Sequence, residues 1–241
     1  MSSPLADYAE LHARSCFSFL VGASFPHELA LRAKELGYRA LALTDQDNLC
    51  AAIAFSQTAQ ALGVKPIVGA EVTLTDGSSV TLLCETPEGY RHLCRLLTLA
   101  HLQERRLPRA EPAWVWGHSR GLIALLGSRS PLGALAQHEK WDEARATLRP
   151  WQDAFGEGSL YLEAVHHLAP GDTQRLKGLA RLSRETGVPL LASQDARSHT
   201  RPRRFLADAL TAIRLRRPLD ALEGEASVNG EAYLQPVSVV A

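Results

Sequence analysis

The chain reads as an α/β protein, a barrel or a doubly wound sheet, on three observations. Short apolar runs alternate with segments of helical periodicity roughly seven times along the 241 residues. The connections between runs are long enough for crossover helices, which favours parallel pairing. The runs also end repeatedly in histidine or a carboxylate, at His12, Asp45, Glu71, His167 and Asp195. Barrels and open α/β sheets place their sites at the carboxyl ends of strands. A closed barrel gathers these five residues at one mouth, whereas an open sheet spreads them along an edge, so convergence favours the barrel.

The first strand is Tyr8 to Ala13, and it runs into Arg14, Ser15 and Ser18. A lone histidine at a strand end is ordinarily a hydrogen-bonded structural residue, so His12 gains meaning only in company. Pro26 to Gly37 carries apolar residues at helical spacing, with proline near its start and glycine at its end. Tyr38 to Asp45 is a second apolar strand that ends in Thr44, Asp45, Gln46 and Asp47. An alanine-rich helix follows over Leu49 to Leu62, and then a strand over Ile67 to Leu74 that Glu71 interrupts. A carboxylate inside a buried strand is costly unless it is paired or bound to a cation, which marks Glu71 as functional.

Asp76-Gly77 is a turn that sets Ser79 to Cys84 beside the Glu71 strand, as a hairpin or adjacent pair. Pro87 to His101 is a helix, and Gln103 to Pro112 a charged, proline-containing surface loop. Gly121 to Gly127 is a buried strand, and Pro131 to Phe155 supplies one or two helices. Trp114, Trp116, Trp141 and Trp151 are packing aromatics, since no spaced platform for stacking bases is visible. Ser159 to His167 is a strand, Asp172 to Thr186 a helix closed by Gly187, and Val188 to Asp195 the last strand, with His199 just beyond. Arg201 to Leu215 is a basic helix. Residues 1–215 are expected to form one barrel domain, and residues 216–241 a weakly structured tail.

Lysine plus arginine and aspartate plus glutamate are 26 each, so bulk charge provides no argument for nucleic acid. Cys16, Cys50, Cys84 and Cys94 show no CxxC spacing and read as reduced thiols of a cytoplasmic protein. The N-terminus lacks a basic start followed by an apolar run, and no segment reaches the roughly 18 apolar residues of a membrane span.

Several motifs in one order carry a resemblance. They are AELHARSCFSFL from Ala9, ALTDQDNL from Ala42, VGAE from Val68 and ASQDARSHT from Ala192, with EGYRHLCRLLT, RGLIALLG, APGD and FLADALTAIR between and after them. Together they resemble the PHP (polymerase and histidinol phosphatase) domain, in the form found at the N-terminus of the error-prone bacterial DNA polymerase III alpha subunit. The resemblance covers nearly the whole chain. It implies a distorted (β/α)7 barrel with a zinc or manganese cluster that hydrolyses phosphoesters and in some polymerases proofreads as a 3′-5′ exonuclease.

The departures from the family pattern are chemical. The family opens with His-x-His, where this chain has His12 and then Arg14; its Thr-Asp-His becomes Thr44-Asp45-Gln46. An aspartate common in the loop after the first motif is Val21, and the closing Asp-x-His is Asp195 followed by Arg197. The candidate ligands that remain are His12, Asp45, Glu71, His167 and Asp195, with His199 nearby. A multinuclear phosphoesterase needs enough nitrogen and oxygen ligands to hold its cations. Arginine stays protonated, repels divalent metal and pairs with carboxylates. Arg14 and Arg197 with Glu71 and Asp195 are therefore expected to form an ionic cluster in place of the metals. No metal cofactor is expected, with zinc or manganese the ions if one binds, and no polymerase active site is expected.

The resemblance then implies a non-catalytic scaffold or interaction module whose partners are the DNA polymerase and repair machinery. Its cleft is left suited to phosphate or nucleic acid. The alternative is an active phosphoesterase or exonuclease with a reduced ligand set.

Overall fold

Seven strands form one sheet in the order β1-β2-β3-β4-β5-β6-β7, so neighbours in space are neighbours in sequence. The strands are β1 (Ala9–Ala13), β2 (Ala40–Gln46), β3 (Lys65–Thr73), β4 (Ser79–Cys84), β5 (Leu122–Leu126), β6 (Leu160–Ala164) and β7 (Leu190–Ala192). The computed structural model describes residues 8–104, 106–222 and 229–240. The class is α/β, with the sequential strand order of a distorted (β/α)7 barrel.

Pairing is parallel at β1–β2, β5–β6 and β6–β7, but β4 runs antiparallel to both β3 and β5. Crossovers favour parallel pairing, and β4 is instead the hairpin partner of β3 that the Asp76-Gly77 turn predicts. The link from Thr73 to Ser79 is too short for a crossover. It folds instead as a tight turn in which Gly77 has φ +85° and its N–H donates to the Leu74 carbonyl at 3.0 Å. The resulting register sets Glu71 opposite Thr81.

The chain divides into two compact units. The first comprises Met1–Val68, His167–Ala169 and Ser193–Ala241. It holds β1, β2, α1 (Pro26–Glu35), α2 (Ala52–Ala61), α8 (Arg204–Leu215) and the short α9 (Val237–Val240). Helix α1 starts as its sequence dictates: Pro26 occupies the first turn, and the Glu28 carboxylate accepts the Phe25 N–H at 2.8 Å. It packs on α2 and β2. β2 is buried along nearly its whole length, as expected of a parallel strand covered on both faces. Leu29, Leu41, Leu43, Phe55 and Leu234 belong to the core of this unit.

The segment after β7 returns to β1. Ala13 and Ala196 form a parallel bridge, Arg14 N–H donates to the Ala196 carbonyl at 2.8 Å, and Ala196 N–H to the His12 carbonyl at 2.9 Å. Of the stretch expected to be a weakly structured tail, residues 223–228 and 241 lie outside the described residues. The rest includes a 3-10 turn at Leu219–Ala221 and a second return to the unit. There Tyr233 bridges Ser198, Leu234 is fully buried, and Gln235 N–H donates to Gln194 Oε1 at 2.7 Å.

The second unit comprises Gly69–His166 and Pro170–Ala192. It holds β4 to β7 with α3 (Pro87–Gln103), α4 (Pro112–Gly117), α5 (Pro131–Gln137), α6 (Trp141–Phe155) and α7 (Asp172–Thr186). Thr86 caps α3 by accepting the Gly89 N–H at 3.1 Å. Gly89 is required there, because a Cβ would stand 1.7 Å from the Gly121 carbonyl oxygen. The stretch Pro131 to Phe155 is two helices, parted where Glu139 adopts φ +58°. Trp116 meets Trp151 edge to face, and Trp151 stacks on Phe155, so these aromatics are packing residues. Among the described residues no helix is long and apolar enough to cross a membrane.

Candidate functional site

In the first unit β1 delivers His12 and, one residue past its end, Arg14, both buried, to the point where the returning segment brings Asp195. Arg14 Nη2 donates to Asp195 Oδ1, and the guanidinium side chain is 0% exposed. His12 Nε2 stands 3.5 Å from the same oxygen, and Arg197 Nη2 3.9 Å from Oδ2. Asp195 has φ +43°, a left-handed conformation that aspartate tolerates better than most residues and that is held here by the bonds on either side of it.

His12 and Asp195 are spaced as two ligands of one cation would be. The Asp195 oxygen nearest His12 is already accepting from a guanidinium, which cannot deprotonate and would sit against any divalent ion bound there. The donor set around Asp195 therefore fits a fixed organic cation better than a metal.

The other candidates have hydrogen-bond or ion-pair partners of their own. Asp45, at the end of β2, accepts the Ser15 N–H, the Ser15 hydroxyl and the Ser18 hydroxyl, each at 2.7 Å. Burial pushes its carboxyl pKa up, against the lowering effect of those donors. It anchors the turn after β1. Gln46 joins that turn through its backbone N–H, which donates to Ser18 Oγ at 2.9 Å, and Val21 N–H donates to the Ser18 carbonyl at 2.9 Å. Gly22 closes the turn, since a Cβ would stand 1.9 Å from the Ser15 carbonyl oxygen.

His167 Nε2 is 2.6 Å from the Gln194 carbonyl, which requires that nitrogen to carry the proton and leaves only Nδ1 as a donor to a metal. His199 Nδ1 bonds Ser24 Oγ at 2.7 Å, and burial lowers the pKa of its ring. Glu71, on β3 in the second unit, is 1% exposed and pairs with Arg129 Nε at 3.3 Å. The structure thus brings Arg14, His12 and Asp195 together and sets Arg197 at longer range. It assigns Glu71 an arginine that the sequence reading did not select.

Glu10 is a second residue that reading missed. It is fully buried on β1 and accepts the Tyr8 hydroxyl at 2.7 Å, the His12 N–H at 2.8 Å and the Gln194 N–H at 3.0 Å. Gln194 Nε2 continues the network to Tyr8 and Tyr38 at 3.2 and 2.7 Å, and the Tyr38 hydroxyl donates to the Gln235 carbonyl. Burial, followed by the Glu10 charge, raises the pKa of the Tyr8 phenol, so the network is held with its hydroxyl protons in place. The signal was available: Glu10 is a carboxylate inside an apolar strand, two residues from His12, the same cue that singled out Glu71.

Residues 10–167 match the PHP domain family, and the chain belongs to it. It is 36% identical over 253 residues to an error-prone DNA polymerase of Symbiobacterium thermophilum, covering 97% of this chain and 23% of that protein. It is 38% identical over 245 residues to the error-prone DNA polymerase of Pseudomonas fluorescens, covering 98% and 22%. The chain spans less than a quarter of the length of these curated relatives.

Among solved structures, a metal-dependent phosphoesterase from Bifidobacterium adolescentis aligns with a TM-score of 0.59 at 14% identity, covering 81% of this chain and 89% of that one. An amidohydrolase from Chromobacterium violaceum, solved with bound sulfate and no metal, aligns with a TM-score of 0.52 at 16% identity, covering 78% and 86%. At these identities the likeness establishes the fold.

Proposed function

We propose that this chain is a non-catalytic PHP domain, cytoplasmic, that serves as a scaffold or interaction module in DNA replication and translesion repair. The observation that carries the reading is the buried Arg14–Asp195 pair. A guanidinium there neutralises the acid that would otherwise ligate a cation, and it cannot supply the metal-bound hydroxide that phosphoester hydrolysis needs. Arg129, with a partly exposed side chain, supports the same reading more weakly, as an ion pair with Glu71 at 3.3 Å. The polymerase relatives support the process in which the module acts, with DNA polymerase and repair proteins as its partners. Arg197, with a partly exposed side chain, supports an anionic contact such as phosphate or nucleic acid at the cleft.

A second reading rests on the 3.5 Å spacing of His12 and Asp195. It is a metal-dependent phosphoesterase or 3′-5′ exonuclease in which a reduced set from His12, Asp45, Glu71, His167, Asp195 and His199 holds zinc or manganese. One experiment separates the two: metal analysis after gentle purification, with hydrolysis of bis-p-nitrophenyl phosphate in added Mn2+. The scaffold reading expects no turnover above buffer. Turnover that depends on metal and disappears in Asp195→Asn would replace it with the second.

A further inference from the structure

The geometry points to a groove between helices of the second unit as a binding site for a small phosphomonoester that carries hydroxyl groups, a sugar phosphate or a nucleotide. The groove is a cavity of about 440 Å³ between α7 and the junction of α5 with α6, within the size range of small-ligand sites. Its floor is backbone. Gly178 on α7 lies so near α5 that a Cβ would stand 2.4 Å from the Ala136 carbonyl oxygen. The two helices therefore approach closely, and the longer side chains that line the groove form its walls.

Lys177, Arg181 and Arg184 line the groove and follow one another on α7 at i, i+4 and i+7, so they share one face of the helix. Arg181 is fixed in place. Its Nε donates to Glu185 Oε1 at 2.6 Å, Glu185 Oε2 accepts from Arg145 Nη1 at 2.7 Å, and the guanidinium carbon stands 4.2 Å from the centre of the Trp141 ring. A guanidinium backed by an indole and tied at Nε keeps its terminal amino groups for a further acceptor, in a planar arrangement that suits phosphate oxygens. Lys177 and Arg184 have no carboxylate partner among the described residues, so their charges are left for a dianion.

The rest of the lining is polar without being cationic. Glu139, from the junction of α5 with α6, and Gln174, three residues before Lys177, line the same groove. A carboxylate beside three cations weakens the site for a bare anion, but a carboxylate and an amide together accept from and donate to the hydroxyls of a sugar. Glu139 takes the left-handed conformation at φ +58°, at a cost for a residue with a Cβ, and its carbonyl accepts the Trp141 N–H at 3.0 Å. That turn sets the carboxylate-bearing residue and the indole that backs Arg181 two positions apart at the edge of one groove.

The test is a titration of the full chain at low ionic strength with inorganic phosphate, ribose 5-phosphate, AMP and a single-stranded DNA oligonucleotide lacking a terminal phosphate. It is read by 1H–15N NMR at the Trp141 indole N–H, assigned with Trp141→Phe, and at the Gln174 side-chain amide. Both signals are expected to shift with one dissociation constant for ribose 5-phosphate or AMP, at least about threefold tighter than for inorganic phosphate. A tighter constant for AMP assigns the groove to nucleotides, and equal constants assign it to the ribose phosphate they share. Lys177→Gln and Arg184→Gln should each weaken binding at least about fivefold, whereas Arg149→Gln, which removes a charge from α6 outside the groove, should change it less than about twofold. The inference is overturned if neither ester moves the two signals, if inorganic phosphate binds as tightly as the esters, or if the oligonucleotide binds more tightly than either. It is also overturned if the two groove substitutions weaken binding no more than Arg149→Gln does. Lys177, Arg184 and Arg149 are all exposed, so the variants are expected to fold, and the order of ligands in the unsubstituted chain decides by itself if one does not.

Discussion

Arg14→Met removes the guanidinium while keeping an unbranched side chain of similar reach, and it leaves Asp195 buried at 3% exposure. Breaking a buried ion pair from one side costs about 3–5 kcal/mol, because the remaining charge is left uncompensated. His12 at 3.5 Å and Arg197 at 3.9 Å from the same carboxylate share that burden, which places the loss near the lower end, about 3 kcal/mol. At about 2–4 °C per kcal/mol for a domain of this size, melting falls by about 6–12 °C. If the guanidinium stands where a cation would, Mn2+ should substitute for it in the variant. At 100 times its dissociation constant the ion restores about 2.7 kcal/mol, whereas the unsubstituted protein gains far less. Arg14→Met with Asp195→Asn removes both charges and should recover most of the loss without metal. Thermal melts of the three proteins with and without Mn2+ read all of this. A shift below about 2 °C in Arg14→Met, or an equal Mn2+ gain with Arg14 present, would refute the reasoning.

Asp45→Ala strands the Ser15 and Ser18 donors and should cost about 1–3 kcal/mol by denaturant unfolding, with Asp45→Asn costing less. Burial raises the Asp45 pKa, so its contribution to stability is full below the ordinary value of 3.8 and is lost as pH rises through the folded value. The deficit of Asp45→Asn is therefore expected to be largest in acid and to shrink toward neutrality. His199 has the opposite sign: burial lowers its pKa, so stability present above 6.5 is lost as pH falls through the folded value, and His199→Gln should flatten that decline. Gly22→Ala drives a methyl into the Ser15 carbonyl and should lower stability by about 1–3 kcal/mol or more, read by the same unfolding assay.

The elements most legible in the sequence were those with chemical punctuation at both ends. Helix α7 has the bounds that Asp172 and Gly187 announce, and Gly187 takes the left-handed conformation expected of a helix stop. Helix α4 was not legible, since six residues carry too little periodicity and its Pro112 reads equally well as the end of a loop. The last strand is expected to run to Asp195 but leaves the ladder after Ala192, where Gln194 and Asp195 turn to bond β1 and the tail instead. At the site, the resemblance marked Arg14 and Arg197 as standing at lost ligand positions, and the chemistry of arginine then pointed to Glu71 and Asp195 as their partners. Arg129 lies in a loop far along the chain from Glu71, and such a pairing leaves no local trace.

A cation bound between strand ends has two separable effects: it ties the ends together, and it acidifies water and polarises phosphoryl oxygens. The Arg14–Asp195 pair retains the first, linking β1 to the segment after β7, alongside the Glu10, Tyr8, Gln194 and Tyr38 network that makes the same connection. A neutral replacement at position 14 would have left Asp195 buried without a counter-charge, which is costlier than either a metal or an arginine. Retention of the acid together with a buried arginine is therefore what a domain needs if it must keep its shape and has no reaction to perform.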